Sequence, residues 1–218
     1  IVEPYQQWRD YKKELTGNNW DYDFRRLFYT WSDDITTGKF APWVEIASRD
    51  KTCGWIGPAD LWLADDGRVH ILWTERAIDP RLRDKFFPGV PQSQSLNYAI
   101  VAQGEVVHRQ TLVEALEGGA NEVVSAARFH VAPAGRLFVF YYVTGIDAEG
   151  HALAQNRLVE LLPGGTVGPT VDVPLATAMS SFFTATVRGG SPASKVLELL
   201  GTRAGAGNAI HYARIRLW

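Results

Sequence analysis

Alternating apolar and polar residues dominate most of the chain, and Gly, Pro, Asn and Asp interrupt the alternation at short intervals. A period of two places successive side chains on opposite faces, as in β-strands that bury one face. Residues 69–74 and 137–143 are two of the predicted strands. Along the whole chain the pattern predicts about 13 strands joined mostly by tight turns.

The first 23 residues carry two conflicting signals. Large apolar residues recur at nearly helical spacing, while the Gly-Asn-Asn stretch at 17–19 would stop any helix. The spaced residues are Tyr5, Trp8, Tyr11 and Leu15. The sequence leaves the structure of residues 1–23 open.

An internal repeat organises the predicted strands. Residues 59–69 align without a gap on residues 127–137, at an offset of 68 residues. Each copy consists of a strand, a tight turn that ends in Gly, a basic residue (Arg68 or Arg136) and a second strand. A weaker third copy covers residues 184–200, with its turn at 189–192. Because the basic residue recurs after each turn, we expect it to cap the turn at the surface.

Four strands in each repeating unit are typical of β-propeller blades. The predicted fold is therefore all-β, a β-propeller of four-stranded antiparallel blades that forms an incomplete ring of about three to four blades. A β-sandwich is the competing fold, but it does not require similar hairpins to recur in register. The predicted divisions are an outer hairpin at 24–50, blades at 57–118 and 121–176, and a partial blade at 180–218. A second chain, or a further segment of a longer protein, would complete the ring.

Composition excludes several classes of protein. With 46% hydrophobic and 21% charged residues the chain can bury a core, and its net charge of −2 does not favour nucleic acid. No apolar run is long enough to predict a membrane-spanning helix. The single Cys53 excludes an intrachain disulfide, and the five histidines lack metal-ligand spacing. We therefore expect no metal and no cofactor.

Residues 28–43 resemble the Asp-box hairpin of the sialidase-like, or BNR-repeat, propellers. Ser32 and Asp34 match the start of the Ser-x-Asp-x-Gly-x-Thr-Trp motif, while its glycine is displaced to Gly38 and its Thr-Trp pair is replaced. The resemblance implies a scaffold that often acts on carbohydrates, and it favours a secreted or periplasmic protein. In that family the Asp box is structural, so Asp34 is not a catalytic candidate. The catalytic set of true sialidases does not map onto this chain.

Positions that differ between repeat copies are the candidates for chemistry, since shared positions are expected to serve the fold. Arg128 and His130 lie two residues apart and so share one strand face. An Arg can clamp a carboxylate and a His can act as a base, which would suit cleavage of a uronate-containing sugar. In the alternative, Arg128 pairs with Asp60 of the neighbouring blade and His130 fills a polar core position.

Further candidates lie at strand ends and in a long predicted loop from Arg76 to about Ser95. The predicted catalytic residues are His130, Arg128, Glu75 and Arg76. The predicted ligand-binding residues are Asp60, Trp62, Arg83, Phe86, Arg203 and His211. Together they predict a carbohydrate-recognising propeller, either a glycoside hydrolase or a polysaccharide lyase that acts on an anionic glycan. The alternative is a non-catalytic propeller that serves as a glycan-binding or protein-assembly module.

Overall fold

A computed structural model describes residues 5–18, 24–119, 121–186, 191–203, 205, 207 and 209–218. The all-β class is confirmed, because strands form most of the regular structure. The strands are β1 (Arg26–Tyr29), β2 (Val44–Ser48), β3 (Trp55–Leu63), β4 (Val69–Arg76), β5 (Ser93–Ala102), β6 (Glu105–Leu116), β7 (Asn121–Ala132), β8 (Arg136–Ile146), β9 (Ala152–Leu161), β10 (Val171–Val173), β11 (Met179–Thr184), β12 (Val196–Arg203) and β13 (His211–Arg216). The helices are α1 (Gln6–Thr16) and α2 (Pro80–Phe86), with single 3₁₀ turns at Ile35–Thr37, Pro133–Gly135 and Pro163–Gly165.

The strands form four antiparallel sheets in chain order. The first sheet contains β1 and β2, the second β3 to β6, the third β7 to β10 and the fourth β11 to β13. Within each sheet every strand pairs with the next one along the chain, so each sheet is a simple meander. Part of the turn predicted at 189–192 lies outside the described residues.

Three apolar clusters join the sheets face to face. Ile46 of the first sheet packs with Trp73 of the second. Tyr98 of the second sheet packs with Phe129 of the third, and the third sheet in turn contacts the fourth through a cluster that includes Phe182. The second and third sheets are therefore covered on both faces.

Strand β8 explains how the third sheet is covered twice. Residues 137–143 are all buried, with the odd-numbered side chains in the cluster shared with the second sheet. Phe138, Phe140 and Tyr142 point the other way, into the cluster shared with the fourth sheet. A continuous apolar run is the pattern expected of a strand with two buried faces.

Two helices lie beside the first and second sheets. Helix α1 resolves the ambiguity near the start of the chain, and it ends where Gly17 adopts a φ of 76°. Helix α2 lies within the segment from Arg76 to about Ser95 that the sequence predicts to be a loop. The prediction of a loop throughout this segment is therefore wrong. Asp79 accepts a hydrogen bond from the backbone N–H of Arg81, and Pro80 occupies the first turn. Within the described residues, no helix combines the length and apolarity needed to cross a membrane.

Candidate functional site

The first strands of the second, third and fourth sheets are joined by side chains that bond to the main chain. Asp60 on β3 accepts a hydrogen bond from the N–H of Phe129 on β7, at 2.9 Å. Thr184 on β11 donates to the carbonyl of the same Phe129, at 2.5 Å. Arg128 donates to the carbonyl of Ala59, at 2.7 Å, and its guanidinium lies 5.1 Å from the ring of Phe183. The structure thus brings Asp60 and Arg128 to one junction between strands.

His130 is fully buried beside this junction. Its Nε2 lies 2.8 Å from the carbonyl oxygen of Ser194 and so carries the proton. The hydroxyl of Thr186 accepts from the N–H of Val131, at 2.8 Å, and can donate to His130 Nδ1, at 3.1 Å. Burial lowers the pKa of His130, which keeps the ring neutral. This geometry favours the alternative in which His130 fills a polar core position.

Glu75 and Arg76 line a cavity of about 280 Å³ between the second and third sheets, near the start of β3. The Glu75 carboxylate accepts hydrogen bonds from the indole N–H of Trp73, at 2.5 Å, and from Arg49. Neither Arg128 nor His130 lines this cavity. The four predicted catalytic residues therefore do not converge on it.

The remaining candidates away from the sheet junctions have protein partners of their own. Arg83 forms a two-bonded ion pair with Glu117, at 2.7 and 2.6 Å. Phe86 packs edge-on against Tyr11 of α1, with 5.6 Å between ring centroids. Arg203 and His211 lie side by side on β12 and β13, with 3.3 Å between Nε and Nε2. These residues stabilise local packing in three separate places.

A larger cavity, of about 620 Å³, opens at the opposite end of the second and third sheets. The turns between β3 and β4, β7 and β8, and β9 and β10 surround it, and we call it the hairpin cleft. Trp62, predicted to bind ligand, lines this cleft and is partly exposed. The other aromatic and charged residues that line it are Asp65, Asp66, Arg68, His70, Tyr98, Arg136 and Glu160.

One wall of the hairpin cleft is aromatic and uncharged. The Trp62 ring lies 4.8 Å from the ring of His70, which is its cross-strand partner on β4. His70 Nδ1 lies 2.6 Å from the hydroxyl of Tyr98. Burial lowers the pKa of His70 to about 4 and raises the pKa of Tyr98. At neutral pH the Tyr98 hydroxyl can donate to Nδ1 of an unprotonated His70, and Trp62 is the member of this wall that a ligand can reach.

The rim of the hairpin cleft is charged, but its arginines have carboxylate partners. Arg136 donates two hydrogen bonds to the Glu160 carboxylate, at 2.7 and 2.8 Å, and these bonds lower the pKa of Glu160. Arg68 lies 2.7 Å from Asp66, whose pKa is lowered mainly by the backbone N–H of Arg68. With Asp65 included, the lining carries three acidic and two basic side chains, a formal charge of −1.

In the predicted Asp-box hairpin, Asp34 caps the 3₁₀ turn at Ile35–Thr37. Asp34 Oδ1 accepts from the backbone N–H of Thr36, at 2.9 Å, and from its hydroxyl, at 2.6 Å. These bonds, led by the hydroxyl, lower the pKa of Asp34. Gly38 then closes the turn with a φ of 64°. Asp34 does not line the hairpin cleft, and membership of the sialidase-like family stays a prediction.

Most of the hairpin cleft was not singled out from the sequence as a binding site. Arg68 and Arg136 were expected only to cap turns, and the recurrence of a basic residue after each turn was the signal for them. No feature of the sequence pointed to Glu160, because its contact with Arg136 depends on the register in which β8 pairs with β9. Across the described part of the chain, no group of three or more His, Cys, Asp or Glu side chains is placed to hold a metal ion.

Comparison of the chain with protein-family models, with curated protein sequences and with solved structures finds no match. Function is therefore inferred from the geometry of the described residues.

Proposed function

We propose that the four sheets are consecutive blades of a β-propeller, and that the protein binds carbohydrate without cleaving it. Support for the propeller comes from meander sheets stacked face to face in chain order, with the first strands of the second, third and fourth sheets bonded to one another. The hairpin cleft is the proposed binding site. The observation that carries the proposal is the partly exposed indole of Trp62 inside a cavity with a charged rim.

The hairpin cleft combines the two kinds of contact that a sugar needs. An indole ring offers a flat apolar face to the C–H face of a pyranose, and Trp62 provides that face. Carboxylates and guanidinium groups at the rim can bond to sugar hydroxyls. Asp65 is exposed at this rim, and Arg136 lies on the opposite sheet. A ligand lying on Trp62 would be flanked by polar groups from both sheets.

The protonation states in the hairpin cleft favour binding over hydrolysis. A glycosidase needs a carboxylic acid whose pKa is raised so that it can protonate the leaving oxygen. Asp66 and Glu160 have lowered pKa values and are ionised at neutral pH. His70 is unprotonated and Tyr98 is almost completely buried. The geometry therefore supports the non-catalytic alternative better than a hydrolase or a lyase.

The charge of the hairpin cleft favours a neutral sugar over the anionic glycan expected from the sequence. A uronate would need a guanidinium to receive its carboxylate, but Arg68 and Arg136 already bond to Asp66 and Glu160. The formal charge of −1 adds a weak repulsion toward an anion. We therefore expect neutral oligosaccharides to bind better than their uronate counterparts.

The test is calorimetric titration with neutral and uronate oligosaccharides, chosen from a glycan array. Trp62→Ala should weaken binding at least about tenfold, and Trp62→Phe should retain part of the affinity because it keeps an aromatic face. Trp43→Ala is the matched control, since Trp43 is exposed but does not line the cleft. Unchanged affinity in Trp62→Ala, or no oligosaccharide ligand on the array, would overturn the proposal.

A further inference from the structure

Two sheet faces at the ends of the stack are exposed and apolar. The first face is the outer side of the first sheet, carrying Phe28, Trp43 and Glu45. Trp43 is 71% exposed and packs edge-on against Phe28, with 5.6 Å between centroids. The inner side of the same sheet is buried against the second sheet. Two aromatic side chains therefore meet on a surface that the four sheets leave open.

The last face is the outer side of the fourth sheet. Phe183, Leu200 and Tyr212 form one cross-strand row over β11, β12 and β13. These three side chains are 56%, 54% and 59% exposed, whereas Phe182 and Leu199 on the opposite side are buried against the third sheet. An apolar row of this kind on a sheet face is typical of an interface.

The two faces carry opposite charges. Glu45 lies on the first face, directly across from Phe28, and the exposed Arg26 of the same face is bonded to Asp50. Arg214 and Arg216 are exposed on the last face. Arg214 lies 3.4 Å from Glu198 of its own sheet, whereas Arg216 has no carboxylate partner among the described residues and is the cation that can meet a second copy. Apolar side chains with opposite flanking charges make the two faces complementary.

We propose that the first face of one copy packs on the last face of a second copy, and that the reverse contact closes the pair. Each copy supplies four sheets, so two copies make a ring of eight, at the upper end of the four to eight blades usual for propellers. A two-fold axis makes the two contacts identical and covers both faces in each copy. The inference rests on the proposed propeller arrangement but not on glycan binding.

Sedimentation velocity tests the pairing. The chain should sediment with twice its mass of 24.3 kDa, and Leu200→Lys or Trp43→Lys should yield monomers. Val107→Lys is the matched control, because Val107 is 57% exposed on β6 and belongs to neither face. A monomeric wild-type chain would overturn the proposal. So would a mass above two copies, or a pair that both Lys variants leave intact.

A charge exchange identifies which faces meet. Glu45→Arg and Arg216→Glu should each shift the equilibrium toward monomer, and the double variant should restore the pair. Failure of the double variant to restore it would show that the two faces do not meet in this register. Titration of the monomeric variants with oligosaccharide separates the two proposals, because the hairpin cleft lies within one copy and should still bind.

Discussion

The third and fourth sheets differ in how many of their faces are covered, and their sequences differ accordingly. Residues 137–143 of β8 form a continuous apolar run that packs on the second and fourth sheets. Strand β12 buries Leu197 and Leu199 but exposes Leu200. A run without alternation indicates two buried faces, whereas alternation indicates one. An exposed apolar residue in the alternating strand then marks a surface available for association.

The largest expected effect tests this difference in core packing directly. Phe140→Ala should lower the free energy of unfolding by about 3–5 kcal/mol, because it opens a cavity between the third and fourth sheets. Phe183→Ala is the matched change on the exposed face and should lower it by less than about 1 kcal/mol. Both changes are made in the Trp43→Lys variant, which we expect to be monomeric, and urea unfolding measures both values. Equal losses would contradict the assignment of one face as covered and the other as open.

The second prediction concerns a titratable group on a covered face. The pKa of His70 is about 4 in the folded protein and near 6.5 when unfolded, so the unfolded chain binds more protons between these pH values. Above pH 6.5 His70 is neutral in both states and its burial costs no stability. As the pH falls from 6.5 to about 4, the unfolded chain takes up the proton first, so the free energy of unfolding decreases. The expected loss is about 3 kcal/mol. Unfolding of the wild type in urea at pH 7 and at pH 4 measures it.

A substitution identifies the source of that loss. His70→Gln retains a group that can bond to Tyr98, and it should reduce the difference in unfolding free energy between the two pH values. His151→Gln is the control, because the His151 side chain is 77% exposed, and this variant should behave as the wild type. A pH dependence that is the same in His70→Gln and in the wild type would show that other groups cause it.

Local signals in the sequence were enough for most of the strands. Alternation and Gly-containing turns predict β3 and β4, where Gly67 adopts the positive φ of 81° that the turn needs. Helix α2 was missed, although Asp79-Pro80 is a standard start signal, because the charged stretch after it resembles a loop. The face-to-face order of the sheets could be inferred only from the repeat.

The candidate site was harder to predict because its contacts join distant residues. Comparison of repeat copies singled out both Trp62 and His130, and position alone could not separate them. The structure separates them by burial: Trp62 lines a cavity, while Ser194, 64 residues further along the chain, accepts a bond from His130. The pairing of Arg136 with Glu160 likewise depends on strand register. Side-chain chemistry suggested the candidates, and tertiary contacts determined which ones ligand can reach.

The smallest expected effect compares the two junctions on either side of β7. Asp60 accepts from the N–H of Phe129, and Thr184 donates to its carbonyl, so a single buried residue is bonded from the second and the fourth sheet. Asp60→Ala should lower the free energy of unfolding by about 1–3 kcal/mol, because it leaves a buried N–H without its partner. Thr184→Val should have a smaller effect, since a carbonyl has a second acceptor site and tolerates the loss better. Asp60→Asn keeps an acceptor oxygen and should restore part of the stability, as measured by urea unfolding. A larger loss in Thr184→Val than in Asp60→Ala would mean that the junction with the fourth sheet contributes more than the one with the second.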